Sequence, residues 1–382
     1  MPDSADDIPM EICEAIIDCV WPDQDTLQRC ALICHAWLPR SRYNLYRRVS
    51  IRRPEQLSRL SRRLLASLGE ADLVQELLLA PLDSFAPMRV VEAGLTALGR
   101  RLPRLEKLFI NLLIHPGDVP QRNKLDLSLR LSSHIANFPS LNHVALLNVT
   151  LPSFLALARM AVALPHLTSL RLHNVSWPTV GKIPPDFLTM EGSWLNLERI
   201  TVTGGWDELP GISLLFGAAS PNALKSVVID SYASMTSDFP QALHFLAYCP
   251  SFNKLVVYNH FPAHAGNFEA FARTVTGMLK IASSRGWPPF VLDFAHVGYT
   301  SRRDLVLIAG NIALVMQDVL LELQHPALPS LEIRIWDNSD RVTWWQTEIR
   351  PHFQPIMVGG SLILTVSDGW DVDPIVYEDG AV

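Results

Sequence analysis

Six proline-marked stretches of this chain share one pattern, and that pattern limits the possible folds more than any other feature. They are "LPRLEKLFI" from Leu102, "FPSLNHVAL" from Phe138, "LPHLTSLRL" from Leu164, "SPNALKSVVI" from Ser220, "CPSFNKLVV" from Cys249 and "HPALPSLEI" from His325, with "WLNLERITV" from Trp194 as a proline-free member. Each reads as a turn followed by L-x-x-L-x-L. The first anchors are Leu105, Leu141, Leu167, Leu197, Leu224, Phe252 and Leu328, so successive differences are 36, 26, 30, 27, 28 and 76. A period of this size is the mark of stacked units, none of which buries its apolar face alone.

Helical patterns lie between the strand patterns. In "NFEAFARTVTGMLKIA", Phe268, Phe271, Ala272, Val275, Met278, Leu279 and Ala282 follow i, i+3, i+4, i+7 spacing, with Asn267 as N-cap, and Leu305 to Leu323 repeats the pattern. The long last gap is expected to hide a strand in "PFVLDFAHV" at Pro289. Pro103, Pro139, Pro165, Pro221, Pro250 and Pro326 are read as sitting where a helix stops and a strand begins. Over roughly Leu73 to Val376 the array resembles the leucine-rich repeat family. Its Asn148 and Asn174 fall one place early for that family's L-x-x-L-x-L-x-x-N ladder.

The amino-terminal end follows another rule. In "DIPMEICEAIIDCVWPDQDTLQRCA", Ile8, Ile12, Ile16 and Val20 recur at i+4, Pro9 opens the helix, and "WPDQD" ends it. Thr26 to Cys34 and Ala36 to Tyr46 are predicted as two more helices. A unit of about fifty residues rarely supplies a self-sufficient core, which implies docking onto something else.

The stretch "IPMEICEAIIDCV" followed by "CALICHAWLPRSRYNLYRRV" resembles the F-box, with a Pro-x-Glu-Ile start, a paired isoleucine, a Cys-x-x-x-Cys-x-x-Trp centre and an Arg-x-x-Leu-Tyr-Arg end. Ile8 replaces the commoner leucine and His35 the commoner basic residue. The resemblance implies that Pro9, Ile12, Ile16, Ile33 and Trp37 help hold a Skp-type adaptor of a cullin-RING ubiquitin ligase. The expected α/β architecture is a small three-helix F-box (1–51), a linker helix (52–70) and an irregular leucine-rich-repeat-like solenoid, or horseshoe (71–382), which holds a protein substrate. A ligase-independent repeat scaffold is the alternative.

If the L-x-x-L-x-L anchors face the core, alternate residues face the other side of the sheet. The third-position column reads Lys107, His143, Ser169, Arg199, Ser226, Lys254 and Ser330, without an acid; the seventh-position column reads Asn111, Leu147, His173, Thr203, Asp230, Tyr258 and Arg334. Lys107, His143, Arg199 and Lys254 are therefore candidate contacts for an acidic or phosphorylated target. Any solvated sheet face carries similar residues, so both readings stand at this point.

Composition closes off other classes. A net charge of −6 and pI near 6.1 leave nucleic-acid binding only to a local patch. The nine arginines from Arg40 to Arg63 alternate with Leu57, Leu60, Leu64 and Leu65 in helical phase, which reads as an amphipathic helix with a solvated basic face. Four of the five cysteines lie between Cys13 and Cys34 with no C-x-x-C knuckle, and no apolar signal segment precedes them. Buried reduced thiols, no metal, and a cytoplasmic or nuclear location are expected. His260 and His264 flank Pro262 and are read as an unlinked loop pair, while "DGWDVDP" near Asp368 lacks a calcium loop's closing glutamate. The longest apolar run, Leu305 to Met316, is too short for a membrane span. No phosphate loop, G-x-S-x-G, H-E-x-x-H or Rossmann fingerprint occurs, so a non-catalytic protein without cofactor is expected.

Overall fold

The computed structural model describes residues 9–21, 23–66, 68–81, 87–111, 125–126, 130–180, 196–203, 224–230, 254–260, 268–284, 290–295, 302–324, 330–336, 342–356 and 361–367. Eleven strands form one sheet: β1 (Arg48–Ile51), β2 (Glu76–Leu79), β3 (Lys107–Asn111), β4 (His143–Leu147), β5 (Ser169–His173), β6 (Arg199–Thr203), β7 (Ser226–Asp230), β8 (Lys254–His260), β9 (Phe290–Ala295), β10 (Ser330–Trp336) and β11 (Ser361–Ser367). They lie side by side in chain order, and every pair is parallel. The strand expected at Pro289 is β9. The molecule is thus a mixed α/β protein built on a parallel sheet, whose strands need crossover connections rather than hairpins. No helix among the described residues is long and apolar enough to cross a membrane.

The local reason for each strand is visible in the turn before it. Leu102, Phe138 and Leu164 are buried, and their carbonyls accept from the amides of Leu105, Leu141 and Leu167 at 3.3, 3.3 and 3.1 Å. Pro103, Pro139 and Pro165 occupy the second position of these turns, where a φ fixed near −65° is already correct. The prolines therefore shape a turn between two buried anchors, which is more specific than stopping a helix. Adjacent units are also tied across: Ser140 Oγ donates to the Pro103 carbonyl at 2.6 Å, and Asn196 Nδ2 to that of Pro165 at 2.8 Å. The anchors Phe252 and Leu328, Pro221, Pro250 and Pro326, and Asn267 lie outside the described residues.

The fourth and sixth positions of the repeat carry the core. Leu108 and Ile110, Val144 and Leu146, Leu170 and Leu172, and Ile200 and Val202 join the main apolar cluster, together with the anchors Leu105, Leu141, Leu167, Leu197 and Leu224. Helices cover this face. Val91 and Leu95 of Pro87–Leu98, Leu157 and Ala161 of Phe154–Val162, Met278 and Leu279 of Phe268–Ser284, and Ile312 and Met316 of Arg302–Glu322 belong to the same cluster.

At the carboxyl ends of β4 and β5, Asn148 and Asn174 adopt positive φ (53° and 49°), a region that asparagine tolerates better than most side chains. Asn174 Nδ2 donates to Asn148 Oδ1 at 2.8 Å, and Asn148 Nδ2 to Asn111 Oδ1 at 3.2 Å. These residues, early by the repeat consensus, form a short asparagine ladder of their own.

The sheet begins earlier than the proline pattern implies. β1 lies inside the stretch 1–51 assigned to the amino-terminal unit, and the helix Pro54–Ala66 buries Leu57 and Leu64 in the same core as Ile51 and Leu77. The segment read as a linker helix thus packs as part of the sheet's first layer, with Leu65 left 64% exposed.

Candidate docking face and sheet columns

Three helices precede β1: α1 (Met10–Val20), α2 (Gln24–Ile33) and α3 (Leu38–Arg47). Pro9 is the N-cap of α1, and Asp23 caps α2 by accepting from the amides of Asp25 and Thr26, each at 3.1 Å. The buried side of α1 is Cys13 and Ile17 and that of α2 is Leu27 and Cys30, and the two helices pack on each other. Consequently Ile12 and Ile16 of the i+4 stripe point away from the side that buries Cys13 and Ile17. Ile12 is 50% and Ile16 44% exposed, Pro9 and Met10 are exposed beside them, and at the end of α2 Leu32 and Ile33 are 86% and 61% exposed. Trp37, the N-cap of α3, is half-buried. Of the four amino-terminal cysteines, Cys13 and Cys30 are buried, whereas Cys19 and Cys34 are exposed, so only two pack in the core as expected.

Helix α3 is held by polar groups. Arg40 Nε donates to Asp18 Oδ1 at 2.7 Å, its Nη2 to Oδ2, and the buried Asn44 donates to the same carboxylate at 2.8 Å. The Arg40 hydrogen bond holds the Asp18 carboxyl below the ordinary aspartate range, against the opposing effect of burial. A depressed folded-state pKa contributes stability above the unfolded pKa and loses it as pH falls through the folded one. The three helices are therefore expected to loosen below about pH 4. Asp18→Asn should flatten that dependence, read as tryptophan fluorescence against pH.

Several arginines of the basic stretch are occupied by aromatic rings. The guanidinium of Arg40 lies 5.0 Å from the Tyr43 ring centre, Arg47 5.0 Å from Trp21, and Arg63 4.7 Å from Tyr46. Arg63 also pairs with Glu70 at 2.6 Å. This accounts structurally for the alternation of basic and aromatic residues. Arg48, Arg52, Arg59 and Arg63 line an open cleft of about 760 Å³ between α2, α3, β1 and the following helix, but Asp23 and Asp25 line it as well.

Strand register brings the four proposed substrate contacts into one row. Arg48, Glu76, Lys107, His143, Ser169, Arg199, Ser226 and Lys254 are successive register partners. The row read from sequence begins at Lys107 and carries no acid. Continued toward the amino terminus it meets Glu76, 2% exposed, whose Oε1 lies 2.9 Å from Lys107 Nζ. Lys107 is therefore committed within the fold. His143 is half-buried with its ring 5.3 Å from that of Phe109, Arg199 is exposed, and Lys254 is placed by backbone register alone. Lys107→Met should destabilise the chain by about 2 kcal/mol because it strips a buried carboxylate of a charged partner. Adding Glu76→Gln should recover much of the loss in urea unfolding.

Between these rows runs a column that sequence reading passed over. Leu78, Phe109 and Ala145, at the fifth position, form a second buried cluster with Ala80 and Leu147 on the face away from the main core. The signal was available: Phe109 and Ala145 alternate in phase with Lys107 and His143. In the seventh column Asn111 and Thr203 are buried, and His173 Nδ1 shares a hydrogen bond of 2.9 Å with Thr203 Oγ1. Arg334 donates through Nε to Glu332 at 2.6 Å. Among the described residues, no three or more His, Cys, Asp or Glu side chains cluster as metal ligands. His260 is placed only as the last residue of β8, and His264 and Asp368 lie outside the described residues.

No protein-family model matches the chain, and no curated protein matches it.

Proposed function

We propose that the chain is a substrate-receptor subunit of an SCF-type cullin-RING ubiquitin ligase. In this reading the amino-terminal helices are an F-box that docks a Skp-type adaptor, and the strands behind them are a leucine-rich-repeat-like solenoid that holds a target protein. The observation that carries it is the exposure of Met10, Ile12, Ile16, Leu32 and Ile33 on helices whose buried residues include Cys13, Ile17, Leu27 and Cys30. Burying the exposed parts of these side chains in a partner contributes apolar transfer free energy that offsets the translational and rotational freedom lost on association. The resemblance of "IPMEICEAIIDCV…CHAW" to the F-box is the reason for naming a Skp-type adaptor as the partner.

The protein itself performs no chemistry under this proposal; it holds a target near a ubiquitin-loaded enzyme, in the cytoplasm or nucleus. Of the row facing away from the main core, Arg199 is the cation best supported as a target contact, since it is exposed, whereas Lys107 is engaged by Glu76. Titrating the full chain with purified Skp-type adaptor in a calorimeter tests the reading. Saturable binding supports it; no binding at high micromolar concentrations leaves the ligase-independent scaffold.

A further inference from the structure

The helix Arg302–Glu322 has 21 residues and a length of about 31 Å. Ala309, Ile312, Ala313, Met316, Val319 and Leu320 face the main core. On its other side Leu307, Leu314 and Leu321 are 57%, 60% and 68% exposed. A single exposed leucine is ordinary. Three at intervals of seven form a straight ridge, because seven residues return a helix to within about 20° of the same direction.

We infer that this ridge pairs with the same ridge of a second copy of the chain, antiparallel, about a two-fold axis at Leu314. Leu314 then meets its own counterpart, and Leu307 meets Leu321 of the second copy. The pairing brings Asn311 opposite Gln317, two neutral groups that can hydrogen-bond to each other. Charge selects the direction. The exposed Arg303 sits in the helix's first turn and the exposed Asp318 and Glu322 toward its end, each at the terminus that its own helix dipole disfavours. An antiparallel neighbour brings Arg303 within a turn of Glu322 on the other copy, twice by symmetry; there Glu322 already receives Lys280 of its own chain at 2.8 Å. A parallel pair would instead oppose Arg303 to Arg303 and Asp318 to Asp318. Three leucines on each side fall in the size class of transient contacts, below about 1,200 Å² of total buried surface. Association is thus concentration-dependent, and it involves none of the residues proposed to dock the adaptor.

Sedimentation velocity of the full chain across the micromolar range should show a coefficient that rises with concentration. Leu314→Arg, placing two cations on the axis at an exposed site, should weaken association roughly tenfold or more. Oxidative cross-linking fixes the direction. A mixture of Leu307→Cys and Leu321→Cys chains should give covalent dimers that neither variant gives alone, beyond the background from Cys19 and Cys34 in wild type oxidised alongside. A monomer at every concentration, a dimer unaffected by Leu314→Arg, or cross-links within a single variant would each overturn the proposal.

Discussion

Ile33→Asp is expected to reduce affinity for a Skp-type adaptor by more than a hundredfold while leaving the chain's own unfolding curve unchanged. The asymmetry follows from exposure: the side chain is 61% exposed at the end of α2, so a carboxylate there is solvated in the free protein. Only the complex would bury it, and an unpaired buried charge costs several kcal/mol, enough to outweigh what most interface residues contribute. Leu65→Asp makes the same chemical change at a 64% exposed site on another helix, and it should leave adaptor affinity as it is. Calorimetric titration of the two variants separates a docking face from general apolar exposure. Equal affinities for Ile33→Asp and wild type, with circular dichroism unchanged, would remove the docking assignment.

Leu170→Ala should lower the stability of the sheet by roughly 2–5 kcal/mol, the range for emptying a fully buried leucine site. Leu170 is 0% exposed in β5 and registers with Val144 and Ile200, both equally buried, so a cavity there is lined by neighbours on two sides. Because the strands share one core, the loss should appear as a lower midpoint in urea with a similar slope. Arg171→Ala, one residue on and on the opposite face, provides the comparison. A cost near zero for Leu170→Ala would mean that the strand is slipped by one residue, since a slip exchanges the two faces.

The strands most legible in sequence were those with a turn signal. Leu105, Leu108 and Ile110 announce β3 because Pro103 and the buried Leu102 mark its start. Val74, Leu77 and Leu79 keep the same spacing around β2, yet no proline precedes them. β1 was hidden more deeply. Its four residues follow α3 without a break and sit among arginines that suggest a solvated helix, and only pairing with β2, some 28 residues on, makes Arg48–Ile51 a strand. With no proline to mark β2, Glu76 stays outside the row, and with it the ion pair that commits Lys107 to the fold.

The division between the two kinds of information has a physical cause. Periodicity and turn chemistry act within a few residues, so the sequence alone determined the proline-marked strands, the two long helices Phe268–Ser284 and Arg302–Glu322, the proline turns and the apolar stripe of α1. Burial and register depend on what distant segments place beside a residue. Only the tertiary structure decided that Cys13 and Ile17, rather than Ile12 and Ile16, face the helices' own core, that Lys107 answers to Glu76, and that Phe109 and Ala145 build a second apolar cluster away from the first. Each of these contacts joins segments far apart along the chain, and no local pattern records such a neighbour.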